Sequence, residues 1–161
     1  MTQVYVAAGS NVDPLPNLRL ALRELSRHYR LAHSPAYRNK AVGFEGEDFI
    51  NLVVGFDTDE SVQQVIAHLH EAEAACGRPR DAAKWAPRTM DLDLLLFGDR
   101  VSSEPGLRLP RPDLLKRPYM LRPMAELAPE CRHPVVGKSM RELWQTFDSG
   151  GHVMQPVAIA P

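Results

Sequence analysis

The sequence predicts an α+β domain in which helices pack on one mainly antiparallel sheet. Short apolar segments alternate with two longer segments of helical periodicity, in the order β-α-β-β-α-β. Both helical segments are apolar along one side only, so each needs the sheet to bury that side. The length of 161 residues suits one domain with a single core, and no repeat or linker divides it. We therefore expect one domain over 1–161, in which 148–161 frays or adds an edge strand.

The first half of the chain predicts a strand, a helix and a second strand. The first strand covers 4–8 and leads into a Gly-Ser-Asn turn. The helix covers 13–29, where Asp13 can cap the start and Pro14 suits the first turn, because its missing N–H leaves no hydrogen bond unmade. A strand is expected near 31–37, and the glycine-bearing polar stretch RNKAVGFEGED predicts a loop.

The second half begins with a strand over 49–56 and a helix that ends at Gly77. After the basic loop RPRDAAKWAPR, a strand is predicted over 90–97. Proline then becomes frequent, so the later elements are expected to be short. They are a strand near Leu107 and helices near 119–127 and 139–147.

Composition and charge exclude several classes of protein. The net charge of -1, with 24% charged residues, does not indicate a general binder of nucleic acid or of membrane surfaces. No apolar run approaches the roughly 20 residues of a membrane span, and no signal peptide is expected. Cys76 and Cys131 have no metal-binding spacing, and Cys76 falls on the apolar side of its helix. A reducing, cytoplasmic location is the expectation.

Asp91 and Asp93 precede five apolar residues in the stretch KWAPRTMDLDLLLFG. Residues two apart in a strand share a face, so the two carboxylates would lie side by side and require a cation. Such hard oxygens suit Mg²⁺, and two ions about 3.5–4 Å apart serve in-line displacement at phosphorus. The alternative is that Asp93 caps a turn while Asp91 pairs with Arg88.

Four basic residues lie just before the two aspartates: Arg78, Arg80, Lys84 and Arg88. Guanidinium groups match phosphate oxygens, so these residues together with the carboxylates suit a magnesium–nucleotide polyphosphate. The alternative is a solvated loop with ordinary ion pairs. Trp85 in the same loop could stack on a base, seal the site or act as a hydrophobic anchor.

Asn51 shares a strand face with Phe49 and Val53 if the strand alternates. A buried amide needs partners, because leaving it unpaired costs about 1–3 kcal/mol. Its donor and acceptor suit the edge of a planar heterocycle, with Phe49 lining a stacking pocket. A structural amide bonded to nearby backbone is the alternative.

Two other patterns predict no site. His68 and His70 are two residues apart on a helix and point in different directions, so they do not form a metal site together. The stretch AAGSN lacks the Gly-Lys-Ser/Thr ending of a phosphate-binding P-loop.

Five stretches together resemble the 6-hydroxymethyl-7,8-dihydropterin pyrophosphokinase family of the folate pathway. They are GSN after the first strand, FINLVV, GRPR, KWAPRTMDLDLLLFG and RPYMLRPMAELAPE, and the similarity covers about 5–144. The most specific element is W-x-P-R-[TS]-x-D-x-D. The resemblance implies a ferredoxin-like α+β fold and transfer of the β,γ-diphosphate of ATP to the pterin hydroxymethyl group, releasing AMP.

The resemblance also implies roles for individual residues. Asp91 and Asp93 are expected to hold two Mg²⁺ ions that bridge the triphosphate, and to act in catalysis with Arg78 and Arg88. The expected ATP-binding residues are Glu73, Arg78, Arg80, Trp85, Arg88, Arg111 and Arg117, with 78–88 closing over ATP as a mobile loop. The expected pterin-binding residues are Asn39, Val42, Phe49, Asn51 and Tyr119. The partners are then two small molecules, with no nucleic acid and no membrane, and a monomer is expected.

The chain departs from the family pattern at several positions. Arg111 stands where family members usually carry a histidine, and arginine can bind phosphate but cannot donate a proton. Asp81 replaces a basic residue, and Asn39-Lys40 replaces a common Thr-Pro pair.

Two alternatives to a working pyrophosphokinase remain, the first of them because of Arg111 and Asp81. One is a catalytically weakened paralogue that binds pterin and nucleotide. The other is a two-carboxylate nucleotidyl transferase or cyclase, which would release pyrophosphate from ATP.

Overall fold

The computed structural model describes residues 1–39, 48–77, 90–148, 150–151 and 153–159. The strands are β1 (Thr2–Ser10), β2 (Ala32–His33), β3 (Ala36–Asn39), β4 (Phe49–Thr58), β5 (Asp91–Phe97), β6 (Ser102–Glu104), β7 (Leu107–Leu109) and β8 (Gln155–Val157). The helices are α1 (Pro14–Ser26), α2 (Val62–Ala75), α3 (Pro118–Leu127) and α4 (Met140–Gln145), with a 3-10 turn over Pro112–Leu115.

The main sheet has the strand order β5-β1-β4-β3-β8, and β2 also pairs with β4. The pairings described in it are antiparallel. The central strand β1 pairs with β4 from Thr2 opposite Thr58 to Ser10 opposite Ile50. Helix α1 connects β1 to β3 across β4, and α2 connects β4 to β5 across β1, which is the ferredoxin-like βαββαβ arrangement. The fold class predicted from the sequence is confirmed.

Helices α1 and α2 cover one face of this sheet. Their apolar sides bury Leu18, Ala21 and Leu25 from α1 and Val62, Val65, Leu69 and Ala72 from α2. The same core holds Ile50, Leu52 and Val54, which alternate along β4. Cys76 also lies in this core as predicted, and burial raises the pKa of its thiol to about 11. Both cysteines are free thiols.

The C-terminal helices α3 and α4 cover part of the opposite face. The core there contains Tyr5, Ala7, Val53, Leu95, Met120, Leu121, Met124 and Met140. The sheet therefore has helices on both faces. The apolar sides of the two longer helices had predicted only the layer formed by α1 and α2. Within the described residues, no helix is long and apolar enough to cross a membrane.

The helix ends agree with the sequence in part. Pro14 occupies the first turn of α1, but Asp13 has a left-handed backbone (φ 40°) and its side chain makes no capping hydrogen bond. The prediction that Asp13 caps this helix through its side chain is therefore wrong. Helix α2 starts with a capping box between Ser61 and Gln64, and Gly77 ends the helical segment with φ 84°.

The strand predicted near 31–37 is two strands, because Ser34 and Pro35 interrupt it. The Ser34 hydroxyl accepts a hydrogen bond from Val53 N at 2.9 Å, and Ser34 N donates to Val53 O at 2.8 Å. The Ser34 hydroxyl thus takes the place of a backbone acceptor in the strand pairing next to Pro35, whose nitrogen has no hydrogen to donate. The tail adds the edge strand β8 beside β3. This was one of the two expectations for 148–161. The hairpin strand β6 was not predicted.

Candidate active site

The strand register places Asp91, Gly9, Asn51 and Tyr37 opposite one another in one row across four neighbouring strands. Directly opposed residues share a face, and this face is the one on which α3 lies. Asp93 lies in the next row, opposite Ala7. The prediction that the two aspartates share a face is confirmed. Asp93 is inside β5, so the interpretation that it caps a turn is wrong.

Arg111 provides a cation beside the aspartates. Its Nη2 lies 3.5 Å from Asp93 Oδ1, and its Nε lies 3.8 Å from Asp113 Oδ2. The backbone holds this arginine in place, since Arg111 N donates to Leu95 O at 2.9 Å. The side chains of Arg111 and Asp93 are 37% and 30% exposed, so the pair faces solvent that a ligand could replace.

Glu73 holds the backbone between the two aspartates. Its Oε2 accepts a hydrogen bond from Leu92 N at 2.9 Å. β5 is an edge strand whose other side pairs with β1, so this N–H points out of the sheet. The last turn of α2 therefore positions the start of β5, and with it both carboxylates.

Asn39 and Asn51 form an amide pair at the other end of the row. Asn39 Nδ2 donates to Asn51 Oδ1 at 2.9 Å, and it also lies 3.3 Å from Tyr37 O. The two residues are 2% and 9% exposed. Asn51 Nδ2 lies over Gly9, where a Cβ would come within 2.4 Å of it. Phe49 is half-buried on the same face.

Gly9 is a candidate site position that the sequence reasoning missed. Its φ is not positive, so the backbone itself would accept other residues. Glycine is needed because the Asn51 amide occupies the space of a side chain. A glycine in the interior of a strand is the sequence signal for such a close approach.

Tyr37 joins the row to α3 and was also missed. Its hydroxyl donates to Glu126 Oε1 at 2.5 Å, and the Arg122 guanidinium lies 4.4 Å from the ring centroid. Burial and the Glu126 hydrogen bond raise the pKa of Tyr37 to about 12, so it remains a donor at neutral pH. The alternation of Tyr37 and Asn39 in the stretch AYRN was the available signal.

Tyr119, in the first turn of α3, lies within electrostatic range of Arg117 and of three aspartates. Burial raises the pKa of Tyr119, Arg117 opposes that rise, and Asp113, Asp93 and Asp91 add to it. The phenol is therefore protonated at neutral pH. Of the described residues, Asp91, Asp93, Phe49 and Asn51 lie on the sheet face that carries α3, and Tyr119 lies in the first turn of α3.

Five predicted site residues lie outside the described residues. They are Val42, Arg78, Arg80, Trp85 and Arg88.

The side chains at the mouth of β5 fit a hard divalent cation. Asp91 and Asp93 present carboxylate oxygens on one face and are partly exposed. Oxygen donors of this kind are those that Mg²⁺ prefers, usually with retained waters and substrate phosphates completing its shell.

The fold and the site define a class: a ferredoxin-like α+β protein with paired carboxylates and an amide pair on one sheet face. The family model of 7,8-dihydro-6-hydroxymethylpterin-pyrophosphokinase (HPPK) matches residues 5–129. The chain belongs to this family.

Individual relatives agree with that assignment. The 2-amino-4-hydroxy-6-hydroxymethyldihydropteridine pyrophosphokinase of Aquifex aeolicus is 33% identical over 145 residues, which is 88% of this chain and 90% of the relative. The protein of the same name from Pseudomonas aeruginosa is 38% identical over 146 residues, covering 88% and 89%.

A solved structure of Plasmodium falciparum HPPK-DHPS, with pterin and p-hydroxybenzoate, superposes with a TM-score of 0.70 at 13% identity. The match covers 89% of this chain but only 42% of that one, and at this identity it supports the fold alone.

Proposed function

We propose that the protein transfers the diphosphate of ATP to 6-hydroxymethyl-7,8-dihydropterin, giving the pterin diphosphate and AMP. The family membership supports this reaction. The observation that carries it is the row through Asp91, Gly9 and Asn51, which puts a carboxylate site and an amide site side by side on one face. A reaction between two small molecules needs such a common surface, because positioning supplies much of the catalysis. The monomeric state and the cytoplasmic location remain predictions.

The nucleotide side of the site consists of the carboxylates and the arginines. Asp91 and Asp93 would hold Mg²⁺, which when bound neutralises the charge of the triphosphate. Arg111 can exchange its partly exposed pairing with Asp93 for phosphate oxygens, since a guanidinium binds both kinds of oxyanion. We assign Arg117 to the nucleotide as well. Arg78 and Arg88 are assigned from the family resemblance, as are Arg80 and Trp85.

The pterin side consists of the amide pair and two aromatic residues. Because Asn39 occupies Asn51 Oδ1, the Nδ2 of Asn51 is the group that can donate to the edge of the ring. Phe49 and Tyr119 are suited to stack on the ring, and both are half-buried. Val42 is assigned here from the resemblance.

The reaction is an in-line displacement without a covalent intermediate. The pterin hydroxyl oxygen bonds to the β-phosphorus, the bond between this phosphorus and the AMP oxygen breaks, and the hydroxyl proton is lost to solvent. Arg111 cannot accept that proton, and neither can Tyr119, whose phenol remains protonated. Their part is therefore to bind and orient the reactants.

The test is AMP formation from ATP, measured with and without the hydroxymethyl pterin and with and without Mg²⁺. Asp93→Ala should lower turnover by about 10³-fold, since charge neutralisation and positioning dominate phosphoryl transfer. Asp113→Ala is the matched control: it also removes a carboxylate near Arg111, and it should change turnover less than threefold. Near-full turnover by Asp93→Ala, or release of pyrophosphate instead of AMP by the unmodified protein, would overturn the proposal.

A further inference from the structure

A second cluster of ligating side chains lies between the end of α1 and the middle of α2. The imidazoles of His28 and His68 stack with centroids 3.7 Å apart and planes 12° from parallel. His28 Nε2 lies 3.9 Å from Glu71 Oε2. One ligand atom from each of these three residues lies within 4.8 Å of the other two. Glu71 follows His68 by three residues, so both project from one side of α2.

His68 is oriented by two further residues. The Tyr29 hydroxyl donates a hydrogen bond to Glu60 Oε1 at 2.5 Å. The Tyr29 oxygen then accepts from His68 Nδ1, 2.8 Å away, and Glu60 Oε1 lies 3.3 Å from the same nitrogen. These two contacts hold His68 Nδ1, so Nε2 is the ring nitrogen that would bind an ion. A carboxylate behind one imidazole nitrogen is the usual support of a metal-binding histidine.

We propose that His28, His68 and Glu71 bind a divalent transition-metal ion, Zn²⁺ in the first instance, with water in the fourth position. Two imidazoles and one carboxylate are a donor set that zinc accepts in tetrahedral geometry. With bonds of about 2.0–2.1 Å, the ligand atoms must approach to about 3.3 Å of one another. Imidazole lone pairs lie in the ring plane, so His28 must also turn out of its parallel stack on His68 before both rings can bind one ion. His28 and Glu71 are exposed, so they can rotate in this way while the half-buried His68 stays in place.

This site is separate from the diphosphate-transfer site. Tyr29 stacks on Phe56 with centroids 3.9 Å apart, and Phe56 belongs to the core on the α1 and α2 face. Asn51 lies five residues away along β4, about 16 Å at the rise of a strand, and faces the opposite side. A bound ion would cross-link the end of α1 to α2.

The test uses untagged, chelator-treated protein titrated with Zn²⁺ by calorimetry in excess Mg²⁺, which occupies the carboxylate site at Asp91 and Asp93. We expect one Zn²⁺ per chain. His28→Ala should weaken Zn²⁺ binding by about 100-fold or more. Removing a ligand should cost more than removing a residue that hydrogen-bonds to a ligand, which typically costs about 10–100-fold in metal affinity. Glu60→Gln should weaken it by about 10–100-fold. His70→Ala is the matched control, since His70 is an exposed histidine of the same helix that is not in the cluster, and it should bind as the unmodified protein does.

Further readouts separate this site from other zinc binding. Co²⁺ should give the visible absorption of a low-coordinate site in the unmodified protein and not in His28→Ala. Saturating Zn²⁺ should raise the Tm by about 5 °C, and Glu71→Gln should reduce that shift. Equal Zn²⁺ affinity in His28→Ala and unmodified protein, or complete loss of binding in excess Mg²⁺, would overturn the proposal. AMP formation should be the same in His28→Ala, so failure here would leave the diphosphate transfer untouched.

Discussion

Replacing Gly9 by alanine tests whether the close approach of Asn51 to the central strand matters for function. The added Cβ would lie 2.4 Å from Asn51 Nδ2, while ordinary contacts begin at 3.4 Å, so the amide must retreat by about 1 Å. The backbone at Gly9 has no positive φ, so the methyl group is the whole perturbation. The nearest atom is the end of a side chain, so the fold should tolerate the change.

The expected cost falls on pterin recognition. Retreat of Asn51 weakens its 2.9 Å hydrogen bond with Asn39, and a neutral hydrogen bond is worth about 1 kcal/mol, or about fivefold in affinity. Misplacement of a contacting group by about 1 Å can cost a further order of magnitude or more, up to about 10²-fold. We therefore expect kcat/KM for the pterin to fall about 10–100-fold.

The assay is AMP formation with the pterin and ATP varied separately, together with thermal unfolding. The KM for ATP should change less than twofold. Gly55→Ala is the matched control, because its Cβ would lie 2.8 Å from the Tyr5 ring on the same face, away from the amide pair. It should lower the free energy of unfolding by about 1–3 kcal/mol and leave the pterin KM unchanged. If Gly9→Ala keeps kcat/KM for the pterin within twofold, the positioning role of Gly9 is wrong.

Three further predictions concern other described contacts. Arg111→Ala should raise the KM for ATP about 10–100-fold, because hydrogen bonds to charged groups contribute about 1.5–3 kcal/mol. The pterin KM should not change. An unaltered KM for ATP would contradict the assignment of Arg111 to the nucleotide. Glu73→Ala should speed amide hydrogen exchange at Leu92, since the 2.9 Å acceptor is lost, whereas Glu73→Gln should restore protection; equal exchange in both would count against this role. Burial lowers the pKa of His133, whose neutral Nδ1 accepts from two backbone N–H groups at 3.1 and 3.2 Å. The unfolded chain therefore binds a proton first, so stability is full above about pH 6.5 and falls as pH drops below it. Tm between pH 8 and 5 should show a flatter profile for His133→Asn, and identical profiles would exclude the effect.

Much of the fold follows from local pattern. The stripe through Leu18 and Leu25 predicted α1, and the run after Asp93 predicted β5, because helical and strand periods are properties of short segments. The break at Ser34 was not predictable in the same way. There a hydroxyl supplies a hydrogen bond to Val53, and that partner is distant in sequence.

The candidate sites also have a part that local pattern predicts and a part that it does not. Strand alternation alone places Asp91 with Asp93, and Phe49 with Asn51, on common faces. The pairing of His68 with His28, rather than with its neighbour His70 in sequence, depends on how α1 packs against α2. Local spacing describes neighbours on one helix, so it does not predict a contact between residues of two different segments.

The sequence by itself determined which side chains share a face, and through the family resemblance it determined the chemistry to expect. Only the tertiary structure decided that the β5 face with Asp91 and the β4 face with Asn51 belong to one surface, because both residues lie opposite Gly9. It also placed Arg111 against Asp93. The physical reason is that alternation is set within a few residues of one strand. Register is set between strands, by backbone hydrogen bonds and by the burial of the α1 and α2 core on the other side of the sheet.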